Sequence, residues 1–548
     1  MRDRDVSAAS TTSWEKEDAL QSPEIHHLPG LGARPDFAER AVGLGRSLVG
    51  GRPLYRWLLV ATVAGSSGLG VGLAMPRGPV TSGQSLALLV VGVLVGSVAG
   101  WVSRSRWAML LAPAAQIVVF EVTRLGASGP TVDGISVDGT FALLAFVAGR
   151  GFYGLVGTFS MVVAAAYGSA LARRSAVPPE RRLPSRIGLY LRRGATALAA
   201  LGVLGLVYLL LAPASVPPIR GADGKVVPGS IASLEKVRIN GSDQWIEIRA
   251  WSPDKPVLLE VPGGPGQSDL ALSRPTLGTL AKDFVVVSWD QRGIGKSYAS
   301  FDPKKLNTRQ AVADTVALTD YLRRRFAERK IYLFGESGGS IIGVLAVQQH
   351  PELYHAWIGS GQMVDPLRTD RLIYGGLLAW AARHHDSGLA SKLRGYGPPP
   401  YNSVFAYGYV MGQYDKLAGD YTEPMAYTRA LDRAGVGPFG VLGGEYTLPE
   451  KMNVFRGLID TFSVMYPQWQ SIDFARTAER LEVPVYIFTG KHELAARRDL
   501  ALAWFRKLHA PIKRLYDYPD SRHATAYEHF RDLHRIMVET VLPATYTN

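Results

Sequence analysis

The residues best suited to chemistry lie in a pentapeptide, residues 335–339, whose sequence is Gly-Glu-Ser-Gly-Gly. A short apolar run, 331–334, precedes it, and a helix-like stretch, 340–349, follows it. A serine at a sharp strand-to-helix turn needs small neighbours, because its strained backbone must lift the hydroxyl clear of the sheet. The pattern therefore predicts that Ser337 is the nucleophile of an acyl-transfer reaction.

A second glycine-rich segment, residues 261–266, has the sequence Val-Pro-Gly-Gly-Pro-Gly and ends another predicted strand. Backbone N–H groups in such a loop can approach an oxygen that becomes negative during acyl transfer. We expect one of these oxyanion donors to come from Gly263 or Gly264. The other is expected to be the N–H of Gly338, directly after the nucleophile.

A third motif, Asp-Gln-Arg-Gly-Ile-Gly-Lys-Ser at 290–297, follows the next predicted strand. In order and spacing, the three motifs resemble the proline iminopeptidase family of α/β-hydrolases, which are serine aminopeptidases, over about residues 230–540. The chain departs from the family in having Pro262 where His is usual and Gly338 where Trp is common. Both positions touch the pocket wall, so the resemblance implies the reaction class more directly than the substrate.

The resemblance also implies that a catalytic acid and then a histidine follow the serine along the chain. His523, in the loop after the last predicted strand, is the expected general base. Glu493, just after the preceding predicted strand, occupies the position where related hydrolases place Asp, and is expected to orient His523. Asp499 and Asp520 remain alternative acids. This mechanism requires no metal and no organic cofactor, and the chain contains no cysteine to serve as a thiolate or metal ligand.

Downstream of residue 213, short apolar strands alternate with amphipathic helices, which predicts a mostly parallel sheet with helices on both faces. Eight strands are expected, at 234–239, 244–250, 257–261, 284–289, 331–334, 356–360, 485–489 and 512–518. Between 365 and 475 the alternation is replaced by helical, aromatic-rich sequence, which is expected to form a lid. The segments 213–364 and 476–548 are then the two parts of an α/β-hydrolase core.

Other charged residues of this half are expected to be structural or solvated. Considered alone, Asp290 and Arg292 are expected to form an ion pair that shapes their loop. The resemblance implies a lid that selects a free substrate amino terminus through carboxylates. Glu423, Glu445 and Glu450 are available, but each is individually expected to be a solvated charge, and none is assigned.

Residues 51–212 differ from the rest in their long apolar runs, each close to the roughly 20 residues needed to cross a bilayer. Five membrane helices are expected, at 57–75, 85–102, 107–122, within 141–171, and at 195–212. The run at 141–171 contains Arg150 and could form one long tilted helix or a re-entrant piece plus one helix. Snorkelling or pairing between helices accounts for Arg150 and Glu121 without a substrate pathway, so we expect an anchor rather than a transporter.

The net charge of +13 does not indicate nucleic-acid binding, because much of the basic excess lies beside the apolar runs. The segment 173–193 contains seven arginines and a single acidic residue, Glu180. Basic loops of this kind are retained in the cytoplasm. We therefore expect a multi-pass protein of the cell membrane with a disordered cytoplasmic tail at 1–50 and the hydrolase on the outer side.

These features predict an all-α transmembrane domain followed by an α/β-hydrolase fold with a helical lid. The leading hypothesis is a membrane-anchored aminopeptidase of the proline iminopeptidase type, acting on short peptides by a Ser337–His523–Glu493 triad. The alternative is an esterase or lipase that uses the same triad on small or lipid-like esters. A receptor with an inactive hydrolase fold is the least favoured, because the motif set is complete.

Overall fold

The computed structural model describes residues 53–176 and 186–546. The tail predicted at 1–50 lies outside the described residues, as does part of the arginine-rich segment between the last two apolar runs. The disorder expected for that tail therefore stays a prediction.

Five apolar helices make up the described N-terminal part, as the sequence predicts. They are α1 Pro53–Ala74, α2 Ser82–Ser103, α3 Ala108–Thr123, α4 Thr140–Ser175 and α5 Arg186–Leu211. Within the described residues, four of them are long and apolar enough to cross a membrane, whereas α3 has 16 residues. The run at 141–171, for which two arrangements were open, is one continuous helix that widens into π-helical turns at Val147–Gly151 and Gly154–Thr158.

The ionisable side chains between these helices pair with one another. Glu121 on α3 accepts hydrogen bonds from Arg124, at 2.6 Å, and from Arg150 on α4, at 3.1 Å. Arg150 also donates to the carbonyl of Val132. Of the two explanations left open for Arg150 and Glu121, pairing between helices is the one observed, and it partly compensates two charges that an apolar environment would make costly.

The eight predicted strands form one mixed sheet in the described part of the chain. They are β1 Ile231–Ile239, β2 Ser242–Ala250, β3 Val257–Val261, β4 Val285–Asp290, β5 Ile331–Glu336, β6 Tyr354–Ser360, β7 Val485–Gly490 and β8 Lys513–Tyr518. Their order across the sheet is β1-β2-β4-β3-β5-β6-β7-β8. Strand β2 is antiparallel to β1 and β4, and β3 to β8 run parallel. The predicted fold class, a mostly parallel sheet of the α/β-hydrolase type, is confirmed.

Strands β3 to β7 are buried along their whole length, which explains why they are near-continuous apolar runs rather than alternating ones. On β5, Ile331 and Leu333 belong to the core on one face of the sheet, and Tyr332 and Phe334 belong to the core on the other. Because these strands are parallel, their carboxyl ends lie along one edge of the sheet. The loops that follow β3, β5, β7 and β8 therefore meet there.

The remaining helices cover the sheet. Before β6 lie α6 Leu270–Ser273, α7 Thr308–Arg325 and α8 Gly339–Gln349. Between β6 and β7 lie α9 Pro366–Arg383, α10 Ser387–Tyr396, α11 Val404–Met411, α12 Asp415–Ala418, α13 Met425–Ala434, α14 Leu448–Trp469 and α15 Phe474–Thr477. After β7 lies α16 Ala495–Lys507, and after β8 lie α17 Thr525–Glu528, α18 Phe530–Ile536 and α19 Leu542–Thr545. Helices α9 to α15 occupy the stretch for which the sequence predicts a lid.

Helix α14 connects the apolar N-terminal helices with the hydrolase. The fully buried Arg456 donates to the carbonyls of Pro79, at 2.8 Å, and Ala148, at 3.0 Å. One turn later, the fully buried Asp460 accepts hydrogen bonds from the N–H and the hydroxyl of Thr131, at 3.1 and 2.6 Å. Tyr298 of the hydrolase also donates to Asp460, at 2.6 Å. The loops at one end of the membrane helices are therefore bonded directly to the lid.

The opposite end of the membrane helices carries basic residues. Arg173, near the end of α4, donates to the carbonyl of Arg104, which follows α2, at 3.3 Å. The loop after α1 and the long connection before α4 lie at the hydrolase end, as the contacts of Pro79 and Thr131 show. The connections thus alternate between two ends, with these arginines away from the hydrolase.

Replacing Asp460 by Ala is expected to destabilise the whole chain. The substitution leaves the buried donors of Thr131 and Tyr298 without an acceptor, at a cost of about 3 kcal/mol. Thermal unfolding of the detergent-solubilised full-length protein would show a lower Tm than the wild type. Asp432→Ala, at an exposed position on α13, is the matched control and should leave Tm unchanged. Equal Tm values for the two variants would contradict the role of this contact.

Candidate active site

Ser337 lies at the sharp turn between β5 and α8, as the sequence predicts. Its φ of +49° is in the left-handed region, and its N–H donates to the carbonyl of Ser360, at 2.9 Å. The neighbouring glycines are required, because a Cβ at Gly335 would overlap the ring of Trp357 and one at Gly339 would overlap the carbonyl of Val261. The turn therefore presents the serine hydroxyl at the carboxyl edge of the sheet.

The structure brings His523 and Glu493 to this hydroxyl. His523, in the loop after β8, has its Nε2 at 2.8 Å from the Oγ of Ser337. Its Nδ1 contacts Oε2 of Glu493, which follows β7. The other oxygen of Glu493 accepts the N–H of Leu494, at 2.8 Å. Of the alternative acids, Asp520 pairs with His529 instead, at 3.4 Å.

Glu493 is placed to remain ionised. Burial alone would raise the pKa of its carboxyl, but the charge and hydrogen bond of His523, together with Arg497 at 3.7 Å, outweigh burial and lower the pKa. An ionised Glu493 favours the tautomer of His523 that carries its proton on Nδ1. The Nε2 atom is then free to accept the proton of Ser337.

Hydrogen bonding of the backbone N–H groups near Ser337 distinguishes between Gly263 and Gly264, the two candidate oxyanion donors of the 261–266 loop. The N–H of Gly263 donates to the carboxylate of Asp269, at 3.3 Å. The N–H groups of Gly264 and Gly338 have no hydrogen-bond acceptor among the residues that the structure describes. The two glycines are in direct contact, because a Cβ at Gly338 would overlap the carbonyl of Gly264. Gly264 and Gly338 are therefore the pair available to bind an oxyanion, and Gly263 is not.

The ion pair expected between Asp290 and Arg292 does not form. Arg292 instead pairs with Asp314 on α7, at 3.1 Å. Asp290 accepts hydrogen bonds from the hydroxyl of Ser268, at 2.5 Å, and from the N–H of Lys296, at 2.7 Å. Burial raises the pKa of Asp290 to about 7. The predicted ion pair is wrong because Arg292 contacts helix α7, whereas Asp290 contacts Ser268 and the backbone of its own loop. Both residues still stabilise loops around the site.

The lid supplies a wall that the sequence did not predict. The ring of Trp469, at the end of α14, lies 2.9 Å from the position that a Cβ of Gly338 would occupy. Together with Trp289, Ile342 and Met465, it lines a narrow cavity beside Gly338. An aromatic ring from the lid therefore stands next to the position where the proline iminopeptidases commonly carry a tryptophan. No local motif marks Trp469, because its position depends on how α14 packs.

Of the three lid carboxylates named from the sequence, Glu423 is exposed and the other two have partners. Glu445 is fully buried and pairs with Arg274, and Glu450 pairs with Lys296, at 2.7 Å. Glu450 also completes the capping box at the start of α14. These two residues are therefore structural rather than solvated.

Part of the chain is similar to known hydrolases. Residues 278–393 match the family described as serine aminopeptidase, S33. The probable aminopeptidase YbaC of Bacillus subtilis is 26% identical over 301 residues, which cover 55% of this chain and 93% of that protein. The serine hydrolase BPHL of Homo sapiens is 30% identical over 188 residues, covering 33% of this chain and 61% of that protein. The crystal structure of a proline iminopeptidase from Mycobacterium smegmatis matches with a TM-score of 0.40 and 15% identity, covering 57% of this chain and 98% of that one.

Replacing Gly338 by Ala is expected to remove most of the turnover of an activated acyl ester. The new methyl group would overlap the carbonyl of Gly264 and displace the oxyanion donors, and losing one such donor costs about 100-fold in kcat. The measurement is kcat of the full-length enzyme in detergent. Gly395→Ala, on α10 with no atom within 4 Å of the new Cβ, is the control. Unchanged kcat in Gly338→Ala would show that these N–H groups do not bind the oxyanion.

Proposed function

We propose that this α/β-hydrolase, which has serine aminopeptidases among its relatives, is a membrane-anchored enzyme that removes residues from the amino terminus of short peptides, as proline iminopeptidases do. The observation that carries the proposal is the contact of Ser337 Oγ with His523 Nε2, at 2.8 Å, while Nδ1 of the same ring contacts Glu493. The aminopeptidase assignment is supported by the family match and by the relative from Bacillus subtilis.

In the proposed reaction, His523 takes the proton of the Ser337 hydroxyl while the oxygen of Ser337 attacks the carbonyl carbon of the first residue of the substrate. The N–H groups of Gly264 and Gly338 hold the oxyanion, and Glu493 stabilises the imidazolium. His523 then gives its proton to the leaving amine. Water, activated by His523, attacks the acyl-enzyme and releases the free residue. Each step uses side chains and backbone groups of this chain.

The membrane helices are proposed to fix the enzyme at the outer surface of the cell membrane. Arg104 and Arg173 lie at the end of these helices away from the hydrolase, where Arg106 follows Arg104 by two residues and Arg174 directly follows Arg173. Basic residues are enriched in cytoplasmic loops, so that end is proposed to be cytoplasmic. The hydrolase then lies on the opposite side, where it would meet extracytoplasmic peptides.

A second candidate, an esterase that acts on lipid-like esters, has one observation in its favour. Between the lid and residues 128–133 of the membrane part lies a groove of about 530 Å³. Its walls include the aromatic rings of Tyr401, Tyr407 and Phe462. An apolar groove next to membrane helices is suited to an acyl chain that enters from the bilayer.

Turnover by the detergent-solubilised full-length protein separates the two candidates. We expect hydrolysis of prolyl or other aminoacyl β-naphthylamides to exceed hydrolysis of long-chain p-nitrophenyl esters. Ser337→Ala should lower kcat by about 10⁴-fold or more, as removal of a triad nucleophile does. Ser471→Ala, at an exposed serine, is the matched control.

Two results would contradict the proposal. Retained turnover in Ser337→Ala would show that Ser337 is not the nucleophile. Turnover of long-chain esters with none of aminoacyl amides would favour the esterase.

A further inference from the structure

Glu336, directly before the nucleophile, is a buried charged group that the proposed reaction does not use. Its side chain is 4% exposed, and it has no hydrogen-bond partner among residues 53–176 and 186–546. Its Oε1 lies 3.8 Å from Nε2 of His523, the atom that contacts Ser337. Its Oε2 lies against the loop formed by residues 261–266, which we call the oxyanion loop, and is 2.5 Å from the position that a Cβ of Gly263 would occupy. A buried polar group without a partner is rare in native proteins and indicates a functional role or a missing ligand.

We infer that Glu336 binds the ammonium group of the first residue of the substrate and thereby selects for a free amino terminus. This inference rests on the proposed aminopeptidase function and names the group that would give it that specificity. It also replaces the lid carboxylates Glu445 and Glu450, whose charges are already paired with Arg274 and Lys296.

The distances around Ser337 fit an aminoacyl group. Standard bond lengths place the α-nitrogen of a residue about 2.5 Å from its carbonyl carbon. Attack requires that carbon to lie about 3 Å from the Oγ of Ser337. Because Oγ is 2.8 Å from Nε2 of His523 and Nε2 is 3.8 Å from Glu336, an ammonium group on the attacked residue can reach the carboxylate. A second residue before the scissile bond would place the ammonium group about 3.8 Å further along the chain, so we expect the site to accept a single residue.

The charges around Glu336 favour a cation. Its nearest charged neighbours are Asp269 behind the oxyanion loop, Glu260 on β3, Glu493 and His523 of the triad, and Arg497 on α16. Burial raises the pKa of Glu336 well above its usual range, and the three neighbouring carboxylates raise it further, whereas Arg497 lowers it. An arriving ammonium group would stabilise the ionised form, so binding would release a proton from Glu336.

The sign of the pH dependence follows from this coupling. Below its raised pKa, Glu336 is protonated and cannot pair with an ammonium group. The preference for a substrate with a free amino group should therefore increase as pH rises, until the α-ammonium itself loses its proton near about pH 8. A substrate that lacks the amino group should not show this extra dependence. In Glu336→Gln the preference should be independent of pH over the range in which the substrate stays charged.

The test uses two substrates of nearly the same shape, prolyl p-nitroanilide and cyclopentanecarbonyl p-nitroanilide, which differ in the ring nitrogen. We expect the wild-type full-length enzyme to prefer the prolyl compound. Glu336→Gln should reduce the ratio of the two kcat/KM values by about 30-fold or more, as expected for loss of one buried charge pair. Glu352→Gln, at an exposed position just before the amino end of β6 and so at the opposite edge of the sheet from the triad, is the matched control and should keep the wild-type ratio.

Two outcomes would overturn the inference. One is an unchanged ratio in Glu336→Gln, and the other is an equal loss for both substrates, which a structural role would produce. If Glu336→Gln does not fold, the wild type can be inhibited with prolinamide and with cyclopentanecarboxamide, which differ in the same ring nitrogen. Equal inhibition by the two amides would count against Glu336. A wild type that hydrolyses esters but neither anilide would contradict the proposed aminopeptidase function instead. The ratio measured on the matching p-nitrophenyl esters would then still test Glu336.

Discussion

The turn at Ser337 is the constraint on which the site depends. A serine held at φ +49° costs about 1–3 kcal/mol, and such strain persists only where the surrounding structure leaves no alternative. Trp357 and the carbonyl of Val261 supply that constraint, because they leave no room for a side chain at Gly335 or Gly339. Once the hydroxyl is fixed at the carboxyl edge of the sheet, the loops after β7 and β8 need only end at the same edge to bring the acid and the base to it.

Helix α14 links the apolar N-terminal helices to the active site. Arg456 and Asp460 form hydrogen bonds with Pro79 and Thr131 in the loops between the apolar helices. Gly457, between them on α14, lies against the loop 261–266, because a Cβ at Gly266 would overlap the carbonyl of Gly457. At its end the same helix presents Trp469 beside Gly338. The membrane part is therefore bonded to the element that forms the pocket wall, rather than linked to the hydrolase only through the connector after α5.

The sequence allowed the fold and the meeting of Ser337, His523 and Glu493 to be predicted, because these features are local or follow from chain order. Buried parallel strands are recognisable as apolar runs, and their carboxyl ends share one edge. Contacts between distant segments were not predictable. Arg292 pairs with Asp314 rather than Asp290, and Arg456 has two backbone acceptors more than 300 residues earlier in the chain. Nothing in the local pattern around these residues indicates those partners.

Activation of Ser337 by His523 underlies every step of the proposed reaction. The most direct measurement is the rate at which a fluorophosphonate labels the full-length enzyme, with the modified residue identified by mass spectrometry. We expect labelling at Ser337, slowed by about 100-fold or more in His523→Ala, because a general base contributes at least that factor. Labelling at another residue, or at the same rate in wild type and His523→Ala, would contradict it.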